Sequence, residues 1–180
     1  RQSLGPGHPE VGGLLLRLAT VVAERPNGER EAERLARDGV EIQEKALGSE
    51  HLDRAPGLVI HARLLARRGQ HAEAEEHLRS AIHIRSRIFG SRHPEVAATL
   101  DDLANELDAQ GRPVAAESIR RESLAIRKEG LGSRHPALGS SLSGLARTAA
   151  AQGDWVAAES LTREGLELQE RAAFAGDELE

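Results

Sequence analysis

Cysteine, methionine and tyrosine are all missing from the chain, and its aromatic side chains other than histidine are Phe89, Trp155 and Phe174. Without cysteine there are no disulfides and no thiolate metal sites, which suits a reducing compartment and sets the expectation of a cytoplasmic protein. Without large rings, any interior must be assembled from Leu, Ile, Val and Ala, which favours helices lying close together over a thick globular centre. Long apolar runs are also lacking. The stretch "GGLLLRLATVV" is interrupted by Arg17 and has no signal-peptide cleavage pattern, and nothing approaches the roughly 18 residues of a membrane span. Positive charge is in deficit, with 24 Lys and Arg against 29 Asp and Glu, so neither nucleic acid nor a membrane surface is expected as a partner. The sequence begins at Arg1 and holds no Met, so it is expected to be a piece of a longer chain.

What the chain does have is repetition. "LGPGHP", "LGSEHL", "FGSRHP" and "LGSRHP" begin at residues 4, 47, 89 and 131, so the copies are spaced 43, 42 and 42 residues apart. Aligned on His8, His51, His93 and His135, each copy has a Leu seven residues on and an Ala eleven residues on. In the third copy Val96, Leu100, Leu103, Ala104 and Leu107 fall at steps of four, three, one and three, which traces one face of a helix. This is helix A. A Gly follows it in every copy (Gly28, Gly69, Gly111, Gly153) and is expected to close the helix in a left-handed conformation. In the first copy Pro26 breaks the helix and one extra residue lengthens the turn, which accounts for the spacing of 43.

A second amphipathic helix, helix B, opens on an Ala-Glu pair at 32–33, 74–75, 116–117 and 158–159. Its expected apolar set is Ala74, Leu78, Ala81, Ile82 and Ile88 in copy two, and Ala116, Ile119, Leu124 and Ile126 in copy three. The hexapeptide then joins helix B to the next helix A, with Gly stopping one and His-Pro starting the other. Small residues such as Ala104 and Ala116 predict close approach of the paired backbones. A single pair cannot bury its whole apolar surface, so neighbours must stack.

These residues resemble a tetratricopeptide repeat array. Copy three reads Leu100-x2-Leu103-Ala104-x2-Leu107 and then Ala116-x3-Arg120, which keeps the Leu-small-Leu and second-Ala elements and replaces the aromatics. The 42-residue period with "LGxxHP", "LA", "AQG" and "AES" resembles the long repeat of kinesin light chains and related bacterial proteins. HEAT and armadillo repeats have similar periods but do not usually carry this His-Pro entry and Gly-then-Ala-Glu turn. The resemblance implies an all-α solenoid of four helix-turn-helix repeats, with eight antiparallel helices in a right-handed superhelix. Residues 1–180 are expected to form a single repeat domain with repeats at about 4–46, 47–88, 89–130 and 131–173 and a tail at 174–180. It also implies a scaffold that binds a peptide or partner protein on its concave side, lined by helix A.

On that side the expected groove residues are Arg63, Arg67, Asp101, Asn105, Asp108, Ser143 and Arg147. Where the kinesin-light-chain pattern has two Asn before the Leu-Ala, this chain has Asp101-Asp102 and Ser143-Gly144. The mixed charge fits a ligand bearing both signs; the alternative is that Arg63, Asp101, Asp108 and Arg147 pair across adjacent helices.

No metal or other cofactor is expected. One His per repeat places neighbours on the order of 10 Å apart, too wide for shared coordination at about 2 Å, and these read as turn residues bonding the backbone. His61, His71, His77 and His83 share no helix face, and His61 fills a Leu position as a packed histidine. "GSSLSG" lacks the order of a nucleophile elbow, and "GLGSRHP" lacks the Lys-Ser/Thr of a phosphate loop. The chain is therefore not expected to be an enzyme. Finally, Arg79, Arg85, Arg87 and Arg92 contrast with an acidic end of Glu164, Glu167, Glu170, Asp177, Glu178 and Glu180. That asymmetry supports either end-to-end self-association or merely soluble ends, and Leu161, Leu166 and Leu168 on the last helix are expected to need a cover. A structural spacer or self-association segment of a larger protein is thus the alternative to a peptide binder.

Overall fold

The computed structural model describes residues 5–177, with side chains through residue 171; Phe174, Asp177, Glu178 and Glu180 lie outside the described side chains. Among the described residues there are eight helices and no strand: α1 (Pro9–Val22), α2 (Glu29–Leu47), α3 (Arg54–Arg67), α4 (His71–Phe89), α5 (Pro94–Ala109), α6 (Pro113–Leu131), α7 (Leu138–Ala151) and α8 (Trp155–Asp177). The chain divides into two compact units, Arg1–Ser91 and Arg92–Glu180, each holding two helix pairs. Within the first, α1 packs on α2, α3 on α4, and α3 also on α2; within the second, α5 packs on α6, α7 on α8, and α7 on α6.

The hexapeptide behaves as its composition requires. Gly48, Gly90 and Gly132 end the helices B at φ 83°, 91° and 86°, a region that a Cβ disfavours. The His that follows turns its ring back: the Nδ1 atoms of His8, His51, His93 and His135 each accept the backbone N–H two residues on, all at 3.2 Å. In α1 and α5, where His8 and His93 are the N-caps, that bond satisfies a donor which the first helical turn leaves orphaned. In copies two and four it instead holds the turn before the helix, since the N-cap residues of α3 and α7 are Asp53 and Ala137 and α7 starts two residues beyond Pro136. The turns inside the pairs use Gly69, Gly111 and Gly153 at φ 75°, 71° and 80°. Copy one differs. Its left-handed residue is Asn27 at φ 63°, while Gly28 is right-handed and caps α2. The extra residue after Pro26 shifts the strained position by one, and Asn tolerates it better than most side chains.

The core follows the helix A pattern closely: Val96, Leu100, Leu103, Ala104 and Leu107 are all buried, as is Ala116. Helix B needs correction. In α4 the buried Ile is Ile84, whereas Ile82 is half-buried and Ile88 is exposed; in α6 Ile119 is half-buried and Arg120 and Ser123 are buried. Leu168, expected to be uncovered, is buried in a cluster with Leu124, Leu138, Leu142 and Leu145, and Leu161 packs against that cluster; Leu166 is exposed.

Helix A and helix B meet most closely at small residues. A Cβ placed on Gly39 would lie 2.7 Å from the Gly12 carbonyl oxygen, and one on Gly12 would lie 2.7 Å from the Gly39 oxygen. The repeat-equivalent residues are Ala55 and Ala81, Ala97 and Ser123, and Gly139 and Gly165. The Ser123 hydroxyl donates to the Ala97 carbonyl at 2.9 Å. The Gly165 position is looser, with 3.4 Å to the Gly139 oxygen. Replacing Gly in a helix by Ala gains about 1 kcal/mol where nothing else changes. Gly165→Ala should therefore raise stability by up to about 1 kcal/mol. Gly39→Ala should lower it by about 1–3 kcal/mol, because backbone must move aside. Urea unfolding followed by circular dichroism checks both signs.

Candidate functional site

The seven expected groove residues fall into two patches, one in each unit. In the second unit α5 carries Asp101, Asn105 and Asp108 at helical spacing, and α7 carries Ser143 and Arg147. Both acids are already engaged, by arginines of α6 and not by arginines of a neighbouring helix A. Arg127 Nη2 donates to Asp101 Oδ2 at 2.6 Å, and Arg120 Nη2 donates to Asp108 Oδ2 at 2.8 Å. Arg120 is only 4% exposed. It donates further to Asn105 Oδ1 at 2.8 Å and, through Nε, to Thr148 Oγ1 at 2.9 Å. The Thr148 hydroxyl in turn donates to Asp108 Oδ2 at 3.0 Å. One buried guanidinium therefore ties α5, α6 and α7 together, with its charge matched by Asp108.

Arg147 is the exception. It is exposed, its nearest polar partner is Asn105 Oδ1 at 3.5 Å, and it has no carboxylate partner among the described residues. Asn105, Asp108, Arg120, Arg147 and Ala151 line a depression of about 440 Å³. Ser143 is less available, since its hydroxyl donates to the Gly139 carbonyl at 2.9 Å. In the first unit Arg63 and Arg67 border a smaller hollow of about 240 Å³ with Thr20 and Ala23. There Arg67 donates to Glu24 Oε1 at 2.8 Å and to the Ala23 carbonyl at 3.1 Å.

Arg120 and Thr148 were not among the expected site residues. A signal existed for Arg120: it stands where the repeat motif has an aromatic and where the other copies have Ala36, Leu78 and Thr162. An arginine at a core position demands a carboxylate within reach, and the half-buried Asp108, in place of Ala23, Ala66 and Ala150, supplies it.

The comparisons with known proteins agree with this geometry. The tetratricopeptide repeat model matches residues 53–129 and 109–171, and a second tetratricopeptide repeat model matches 29–53. The chain belongs to the tetratricopeptide repeat family. It is similar to the crystal structure of a kinesin light chain-type protein of Podosopora anserina with nearly identical repeats, at 29% identity over 94% of this chain and 80% of that one, with a TM-score of 0.83. A single-substitution form of that protein aligns over 95% of this chain and 80% of its own at 29% identity and a TM-score of 0.85. BtubC (BKLC) of P. vanneervenii shares the fold at 21% identity, over 93% of this chain and 66% of that one, with a TM-score of 0.81. No curated protein is significantly similar to the chain.

The first unit holds a second departure from the repeat pattern. His61 of α3 and His77 of α4 stack with ring centroids 4.7 Å apart, although they are too far apart in sequence to share a helix. Each occupies an apolar position of the repeat: Leu18, Leu103 and Leu145 correspond to His61, and Leu35, Ile119 and Leu161 to His77. His61 is 5% exposed, and neither ring nitrogen has a hydrogen-bond partner. Burial, reinforced by the neighbouring His77, pushes the His61 pKa from 6.5 down to about 4, against a raising influence from Glu33. His77 is lowered too, first by burial, while Glu76 and Glu73 oppose the shift.

Between pH 6.5 and about 4 the unfolded chain takes up a proton at position 61 that the fold refuses. Stability is therefore lost as pH falls through that window. The loss attributable to His61 should be about 2 kcal/mol at pH 5 relative to pH 7.5. His61→Leu, the residue of the other three copies, should remove that part of the slope and leave the smaller share of His77. Thermal melts of both proteins across this pH range provide the check.

Proposed function

We propose that the chain is a non-enzymatic interaction module, working in the cytoplasm, that holds an extended segment of a partner protein on its helix A surfaces. The observation that carries this reading is the charge balance of the second unit's patch. Asp101 and Asp108 are neutralised by Arg127 and Arg120, so the one charge left over is that of Arg147, beside Asn105. A guanidinium presents a planar fork that matches a carboxylate. Asn105 gives its carbonyl oxygen to Arg120, which leaves its amide donors for a peptide carbonyl. The ligand that fits is therefore an acidic peptide and not one bearing both charges. Arg63 and Arg67 give the first unit's hollow the same sign, tempered by Glu24.

A structural reading, as a self-associating segment, is favoured by a different observation. Leu14, Leu18 and Val21 form an exposed apolar row on α1.

The peptide reading is tested with labelled extended peptides of acidic and of basic composition, followed by fluorescence anisotropy. Acidic peptides should bind preferentially, and Arg147→Glu should weaken them about tenfold or more while the helical circular dichroism signal stays unchanged. Equal binding by the variant, or a preference for basic peptides, would overturn the proposal.

A further inference from the structure

An apolar cluster closes the junction of α6, α7 and α8 in the second unit: Leu124, Leu138, Leu142, Leu145 and Leu168, with Leu161 packed against it. The first unit has Val40, Arg54, Leu58, His61, Ile84 and His77 at the same repeat positions. Three of the six are polar, all three belong to copy two, and here α2, α3 and α4 border a cavity of about 580 Å³. Apolar side chains at those three places would pack together; Arg and His give up that packing.

Val40, Leu58 and Ile84 form the apolar part of the wall and are buried. Arg54 lines the cavity although it is only 6% exposed. Its Nη1 donates to the Ser49 carbonyl and its Nη2 lies 3.3 Å from Glu44 Oε2, but its Nε is buried with no partner. His77 lines the cavity with its ring backed by His61. Burial keeps it a neutral imidazole at neutral pH, with one donor and one acceptor nitrogen. The other charges of the wall are matched: Glu50 pairs with Arg87 and lies 3.5 Å from His83 Nε2, and Arg79 pairs with Glu75 at 2.7 Å. Glu76 is the exception, an exposed residue of the wall whose carboxylate has no ion pair among the described residues. The cavity therefore offers one unmatched negative charge, one unused guanidinium N–H and an apolar floor.

We propose that this cavity binds an ammonium group with a carbonyl oxygen close beside it on an apolar stem. The ammonium pairs with Glu76, the oxygen accepts from Arg54 Nε with His77 beside it, and the stem packs on Val40, Leu58 and Ile84. A free apolar amino acid carries these groups, and so does the first residue of a peptide chain. The site uses none of the residues of the second unit's patch, so it stands independently of the peptide reading.

The test is isothermal titration of the 180-residue chain at neutral pH with leucine, leucinamide, isoamylamine and N-acetylleucinamide. Leucine or leucinamide should bind saturably at millimolar concentration or below. Isoamylamine lacks the oxygen and N-acetylleucinamide lacks the charge, and each should bind at least about tenfold more weakly. Tighter binding of leucine assigns the site to free amino acids, and tighter binding of leucinamide assigns it to the start of a chain. His77→Leu and Arg54→Val install residues found at these positions in other copies. Both proteins should melt no lower than the parent, yet bind about tenfold more weakly. Glu76→Ser, the residue of copies three and four, should weaken binding to a similar extent. Arg147→Glu, which disables the peptide patch, should leave this binding unchanged. The proposal fails if neither leucine nor leucinamide binds saturably, or if the two controls bind as well. It fails equally if folded His77→Leu and Arg54→Val proteins bind like the parent.

Discussion

Everything in this molecule depends on how closely helix A and helix B approach within each pair. At the nearest point Gly12 and Gly39 leave no room for a Cβ, and Ala or Ser takes their place in the second and third copies. A second small pair lies further along each helix: Ala19 with Ala32, Ala62 with Ala74, and Ala104 with Ala116 are all buried. Backbones held this near gain dispersion contacts along their whole length and leave an interior built mainly of Leu, Val, Ile and Ala, with no Phe or Trp among the described buried residues. The scarcity of aromatics is then a consequence. Rings would wedge the pairs apart, and both Phe89 and Trp155 sit outside the cores, substantially exposed.

This constraint also explains what was legible in the sequence. Periodicity of apolar residues and the punctuation by Gly, His and Pro depend on local geometry, so helix A and most turns could be read from them. The exceptions are that Asn27 and not Gly28 is left-handed in copy one, and that α3 and α7 are capped by Asp53 and Ala137 and not by their His. Helix B was read less well. Its Ala-Glu start was clear, but Ile84 rather than Ile82 or Ile88 faces inward, and Arg120 and Ser123 are core residues. An apolar side chain in a helix flanked by several partners has more than one place to go, and periodicity does not choose among them. Positions of pairing were the hardest. That Asp101 and Asp108 are neutralised by Arg127 and Arg120 depends on how the two consecutive helices of a pair face each other, as does the His61–His77 stack.

The four copies share a frame, so their differences locate what the frame does not need. Copy two places Arg54, His61 and His77 where other copies place Val96 and Leu138, Leu103 and Leu145, or Ile119 and Leu161. Copy three places Arg120 and Asp108 where others place small or apolar residues. None of these is the stable choice by burial alone, because desolvating a charge costs more than packing an apolar side chain. The arginine and aspartate of copy three recover that cost through four hydrogen bonds linking Asn105, Asp108, Thr148 and Arg120. The histidines of copy two recover little, since His61 bonds nothing. Two polar insertions of such different quality have different consequences. The first fixes the α5–α6–α7 junction in one register and holds Asn105 in place beside Arg147. The second keeps His61 neutral in the fold down to about pH 4 and costs the first unit stability as pH falls below 6.5. The peptide surface proposed above would need the former property, since a loose junction would lose affinity to the ordering of its own side chains.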